Sequence, residues 1–129
     1  MRFMLIAHGD KNFEAGVPPD PQLMTAIGQL SQEMTKKGVL VSQGGLGPTA
    51  LGAKLELKNG KVTVKDGPFT EAKEIIGGFA IVDVKSKEEA VQMGREFLEL
   101  HARILGPSHT MTSEVRRLFG PEDFGPPKR

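Results

Sequence analysis

No cysteine occurs among the 129 residues. Disulfides, thiolate-bound zinc, iron–sulfur clusters and thiol nucleophiles are excluded together, because each needs a cysteine sulfur. Tryptophan and tyrosine are missing too, which removes two of the aromatic platforms on which nucleic-acid bases stack. Neither sign of charge dominates: 17 Lys and Arg against 16 Asp and Glu leave a formal charge of +1. Acids and bases are interspersed, with no basic stripe of the kind that neutralises phosphates. Nucleic acid is not an expected partner. The three histidines have no His-x-x-x-His spacing, so no metal or other cofactor is expected. Long apolar runs are also lacking, and nothing approaches the ~20 residues of a membrane span. The segment Met1-Arg2-Phe3-Met4-Leu5-Ile6-Ala7 is basic and then apolar, but His8-Gly9-Asp10 ends it short of a secretory core, and no small-residue cleavage site follows. It reads as a buried strand, and the expected location is the cytoplasm, away from membranes.

What is present fits one domain spanning 1–129, with a Pro/Gly-rich tail from 120 to 129. Residues 2–8 alternate as a strand, with Arg2, Met4, Ile6 and His8 on one face and Phe3, Leu5 and Ala7 on the other. Residues 9–19 read as a loop. Asp20 is an N-cap with Pro21 at the first helical position. Leu23, Ile27, Leu30 and Met34 then recur at helical spacing until Gly38. Val39 to Ser42 is a short strand, and Gly44-Gly45-Leu46-Gly47-Pro48 follows as a loop. That loop lacks the GxGxxG spacing of a phosphate cradle. Residues 53–58 and 61–65 form a hairpin across Asn59-Gly60, the strongest short-range hairpin signal. Phe79 to Val84 is a strand; Ser86 and Glu89 form a capping box for a second helix. Ala90, Val91, Gly94, Phe97, Leu98 and His101 lie on its apolar stripe, and Gly106-Pro107 ends it. Thr110 to Leu118 is the last strand. Asp123-Phe124-Gly125 is not a kinase metal motif, since no catalytic loop or Gly-rich lid accompanies it.

The order β-α-β, hairpin, β-α-β predicts an α+β domain of the ferredoxin-like, split βαβ kind with an antiparallel sheet. Its helices cover one sheet face. The strands are apolar on both, so the second face needs cover, and a partner subunit in a homodimer is the economical one.

Asp66-Gly67-Pro68-Phe69, followed by Thr70-Glu71-Ala72-Lys73-Glu74 and Gly77-Gly78-Phe79, resembles the signature of the YCII-related (DGPF) family. Phe3-Met4-Leu5-Ile6, Gly38-Val39-Leu40, Lys85-Ser86-Lys87-Glu88-Glu89-Ala90, Val115-Arg116-Arg117-Leu118-Phe119 and Glu122-Asp123-Phe124-Gly125 are similar to the same family. The resemblance implies a dimeric α+β barrel in which two ferredoxin-like sheets pack face to face. It also implies a small-molecule pocket. Some relatives act on chlorinated aromatic rings, with a suggested His–Asp pair, and others are linked to alternative sigma factors. Gly44 stands where relatives often carry Glu, and residues 99–112 depart from the family pattern.

Five positions are candidates for chemistry. His8 ends an apolar strand, where an imidazole oriented by a carboxylate is a general base near neutral pH; a strand-end histidine emerging into solvent is the plainer reading. Asp66 is either the Asx residue of a Gly-Pro turn or, in the manner of the suggested family pair, the partner of His8. Asp83 interrupts the Phe79/Ile81 face, and is a binding residue if buried or a solvated strand end if not. Of Arg116 and Arg117, one points inward and can bind an anion; Arg116 is the candidate. Glu71, Lys73 and Glu74 read as a solvated face, His101 as a core histidine, and His109 as a loop residue. The leading expectation is a cofactor-free acid–base enzyme acting on a ring or carbonyl compound through His8 and Asp66. The alternative is a non-catalytic dimeric module in stress response or sigma-factor regulation.

Overall fold

The computed structural model describes residues 1–69 and 75–125. The charged run Glu71, Lys73 and Glu74 and the end of the tail, 126–129, lie outside the described residues. The elements run β1 (Arg2–His8), α1 (Lys11–Glu14), α2 (Pro21–Lys36), β2 (Leu40–Gly45), β3 (Ala53–Lys58), β4 (Lys61–Asp66), β5 (Ile76–Asp83), α3 (Lys87–Leu105) and β6 (Ser113–Arg117). Short 3-10 turns occupy Thr49–Leu51 and Pro121–Phe124.

Local chemistry sets the helix ends. Asp20 Oδ1 accepts from the Gln22 and Leu23 amides at 2.8 and 3.1 Å, satisfying donors that the first turn leaves unpaired. Ser86 Oγ accepts from the Glu89 amide at 3.2 Å, and Glu89 Oε2 reaches back to the Lys85 amide at 3.0 Å. Gly38 follows α2 at φ 73°, a left-handed conformation that glycine adopts without steric cost. Two differences from the sequence expectation have local causes. Asp10 caps a turn of helix inside the expected loop, its Oδ1 accepting from Phe13 N at 2.9 Å. Gly44 and Gly45 extend β2 instead of leaving it, because β5 offers Phe79 and Gly78 as partners; a Cβ on Gly78 would lie 2.9 Å from the Gly44 carbonyl oxygen.

Four strands form one sheet in the order β2-β5-β1-β6, every pair antiparallel. With α2 and α3 in the two crossovers, this is the ferredoxin-like arrangement. Phe3 and Leu5 pair with Val82 and Ala80 of β5 and with Arg117 and Val115 of β6. Residues directly opposite share a face, so this face carries the core: Phe3, Leu5, Val82, Val84 and Ala90, with Met34, Val39, Leu40, Met93 and Val115 packed around it. Gly94 of α3 comes so close to β6 that a Cβ there would touch Val115 Cγ2 at 3.6 Å. Met4 and Ile6 pair with Ile81 and Phe79 on the opposite face, which the core-side helices α2 and α3 leave uncovered.

The hairpin β3–β4 forms a separate two-stranded sheet. Asn59 and Gly60 have φ of 52° and 76°, the double positive φ of a type I′ turn. His101 is buried, and its Nδ1 lies 2.8 Å from the Phe97 carbonyl oxygen. A carbonyl only accepts, so Nδ1 carries the proton. The His101 ring lies 4.5 Å from that of Phe97 and stacks at 6.1 Å on that of His109.

Two consequences are measurable. Gly60→Val places a β-branched residue at positive φ, at a cost of about 1–2 kcal/mol. Amides of β3 and β4 should lose roughly 5–30-fold of their exchange protection; unchanged protection would mean another turn type. Burial pushes the His101 imidazole below its ordinary 6.5, the Phe97 carbonyl opposing and His109 adding to the shift. The unfolded chain then binds more protons than the folded one. Stability is fully present above the unfolded value and is lost as pH falls through it. Denaturation midpoints followed from about pH 8 to about pH 5 should decline, and the decline should be shallower in His101→Phe. An equal slope in the two proteins would contradict the assignment.

Candidate functional site

The bare face of the sheet carries an apolar centre of Met4, Ile6, Phe79 and Ile81, all half-buried. On the outer strand β6, Ile6 pairs with Glu114 and Met4 with Arg116, so both charged side chains stand on this face. On the other outer strand, Gly44 faces Phe79. A Cβ on Gly44 would lie 3.1 Å from the Phe79 ring, so that ring takes up the space beside Gly44.

His8 stands at one end of the face. Its register with β5 shifts between Ala7 and His8, so that it lies opposite Ile76, and its amide donates to the Thr112 carbonyl at 3.0 Å. Such bulges re-aim a side chain. The imidazole reaches diagonally across to β6, where Nε2 lies 2.8 Å from Glu114 Oε2. Glu114 Oε1 in turn lies 3.5 Å from Arg116 Nη1. The bond from His8 holds the Glu114 carboxyl below its ordinary 4.5, with partial burial opposing and Arg116 assisting. The Glu114 carboxylate is therefore ionised at neutral pH. It accepts the Nε2 proton, so in the neutral imidazole the lone pair lies on Nδ1, the nitrogen that a general base would use. The pair is partly open to solvent, with side-chain exposures of 23% for His8 and 41% for Glu114.

The other candidates sit elsewhere. Asp66 ends β4 opposite Ala53 and is exposed. No hydrogen bond or ion pair joins it to His8 among the described residues. Asp83 lies at the far end of β5, opposite Arg2. It is 51% exposed and forms ion pairs with the Met1 amine at 3.2 Å and Arg2 Nε at 3.9 Å. Arg116 is brought to His8 through Glu114, whereas Arg117, on the helix side, pairs with Asp123 at 2.9 Å. Glu114 is the residue that sequence reasoning missed. Strand alternation puts it on the face of Arg116, but only the register of β6 against β1 puts it beside His8.

The tetrapeptide Asp66-Gly67-Pro68-Phe69 forms a joint at the root of the hairpin. The Gly67 amide donates to the Gly52 carbonyl at 2.9 Å. A Cβ on Gly67 would fall 1.7 Å from the Thr49 carbonyl oxygen, so only glycine fits. Thr49 is clamped by Glu14, whose Oε1 accepts from its amide at 2.8 Å and whose Oε2 accepts from its hydroxyl. Thr49 Oγ1 also accepts from the Phe69 amide at 3.3 Å.

Two open grooves occur among the described residues, one along α2 beside Gln43 and one between α3 and β6 at Gly94, Leu98 and Val115. Neither is lined by His8 or Asp66. No group of three or more His, Asp or Glu arranged to hold a metal ion is found among the described residues, and no described helix is long and apolar enough to cross a membrane.

An uncharacterised protein of Rhizobium meliloti (strain 1021) is 32% identical over 77 residues, which is 60% of this chain and 62% of that protein. The match thus spans less than two thirds of the relative's length. The profile of the YCII-related domain matches residues 1–97, a stretch that runs from β1 through the hairpin and the Gly67 joint into α3, and the chain belongs to the YCII-related domain family.

Proposed function

We propose that this chain is a cofactor-free acid–base enzyme acting on a ring or carbonyl compound, in the cytoplasm and as a homodimer. The observation that carries the reading is the 2.8 Å contact between His8 Nε2 and Glu114 Oε2 at the end of an apolar sheet face. Acid–base work needs an imidazole with one nitrogen held by a carboxylate and the other free. Glu114 takes the orienting role that the sequence assigned to Asp66. The adjoining Met4, Ile6, Phe79 and Ile81 offer a flat apolar bed for a ring. Arg116, 69% exposed and only loosely engaged by Glu114 at 3.5 Å, has donors left for an anionic group on the substrate. His8 Nδ1 would take a proton from a carbon or hydroxyl of the bound compound, and the Glu114 carboxylate would stabilise the imidazolium that results.

A homodimer that covers the bare face would exclude water from this bed and strengthen each charge interaction within it. The support is physical: an apolar sheet face at the centre of a small domain is costly in water.

The test is proton exchange. Cyclic ketones incubated with the protein in deuterium oxide should exchange their α-protons faster than in buffer. His8→Ala should lose about 10²–10⁴-fold of that acceleration, the range of general-base catalysis. Glu114→Ala should lose part of it and Asp66→Asn little. Exchange no faster than buffer, or undiminished in His8→Ala, would remove the catalytic reading and favour a non-catalytic dimeric module.

A further inference from the structure

The hairpin β3–β4 is two-faced. Leu55 pairs with Val64 and Leu57 with Val62, so four aliphatic side chains share one face, between 62% and 75% exposed. The other face holds Lys54 opposite Lys65 and Lys58 opposite Lys61. Those like-charged pairs repel across the strands and keep that face in water, relieved only by Glu56, which lies 3.9 Å from Lys54. An isolated two-stranded hairpin is marginal in water, and becomes stable when its apolar side packs on something. Nothing among the described residues of this chain packs there, since all of β3 and β4 is exposed.

The same chain carries a second uncovered apolar surface, the bare sheet face around Ile6 and Phe79. Two such surfaces on one molecule are what an isologous contact satisfies twice over in a closed dimer. Size agrees as well. Burying a Val, Leu, Ile, Phe or Met side chain removes on the order of 60–120 Å² of apolar area. The four hairpin side chains are mostly exposed, whereas Met4, Ile6, Phe79 and Ile81 are already half-buried; together they supply roughly 300–600 Å², the apolar centre of an interface of the standard ~800 Å² per partner. Position agrees too. The segment that becomes the hairpin leaves the sheet at the His8 end, where the Leu46 amide bonds the Gly77 carbonyl at 3.0 Å and the Gly9 amide bonds the Ile75 carbonyl at 2.9 Å. Its root is fixed to the body through Glu14 and Thr49, and its strands of six residues each reach about 20 Å.

We infer that the apolar face of β3–β4 is an arm that docks on the bare sheet face of a second copy of this chain, and that this contact encloses the His8–Glu114 site. The inference rests on the acid–base reading only for what is enclosed. On one chain the site is an open face, and the dimer makes it a pocket.

Because the chain has no cysteine, Val64→Cys introduces its single thiol, on the arm's apolar face. Sedimentation across micromolar concentrations should find a dimer, and the thiol at position 64 should react with a disulfide reagent more slowly as the dimer forms. The double variant Leu57→Glu/Val62→Glu should keep its far-ultraviolet spectrum, since neither side chain belongs to the core, and should dimerise roughly 30-fold or more weakly, as loss of central anchors does. A dimer whose position-64 thiol stays fully reactive would overturn the arm contact alone, leaving the acid–base reading to the ketone assay. A monomer at every concentration would overturn the inference, and so would binding of wild type to anionic lipid vesicles that is lost in the double variant. Failure of ketone exchange in a dimer with a protected thiol would overturn the acid–base reading alone.

Discussion

β1 carries apolar side chains on both of its faces, and the two long helices of this chain cover only one of them. That constraint organises the rest. Phe3 and Leu5 anchor the core against Val82, Val84 and Ala90, so Met4, Ile6 and His8 must stand on the other side. Because β1 lies between β5 and β6, the bare face collects Phe79 and Ile81 from one neighbour and Glu114 and Arg116 from the other. An imidazole, a carboxylate and a guanidinium meet there because the core needs the alternate positions. The cost of an apolar face in water makes the same surface suitable both for a ring compound and for a partner subunit.

The DGPF tetrapeptide contributes by holding an element in place. Gly67 sits where any Cβ would collide with the Thr49 carbonyl, and Thr49 is held from the other side by Glu14 and linked to the Phe69 amide. A hairpin that packs on nothing among the described residues of its own chain is thereby given a fixed root beside the His8 end of the sheet. Asp66, which opens the motif, belongs to this construction as the last residue of β4. The carboxylate at His8 comes from a strand far away in sequence. Among the described residues no hydrogen bond or ion pair joins the motif to the imidazole.

Much of the fold was legible in the sequence, because it depends on short-range chemistry. Asp20 with Pro21, Ser86 with Glu89, Gly38 after α2 and Asn59-Gly60 between β3 and β4 each act within a few residues. A cap or a primed turn needs no distant partner to be recognised. The ends of β2 and β6 were less legible. Whether Gly44 and Gly45 continue a strand depends on β5 lying alongside, and β6 is shorter than its apolar and β-branched residues suggested, at Ser113–Arg117.

By itself the sequence determined the order of elements, the ferredoxin-like layering, the two apolar faces of β1 and the candidacy of His8 and Arg116, all readable from periodicity and local capping. Only the tertiary structure decided which carboxylate His8 meets. Glu114 is 106 residues away, and its place depends on the register of β6 against β1 and on the bulge at His8. A shift of one residue in that pairing would turn Glu114 to the helix side. Alternation along a strand says which residues share a face, whereas register says which of them touch, and register comes from the packing of the whole sheet.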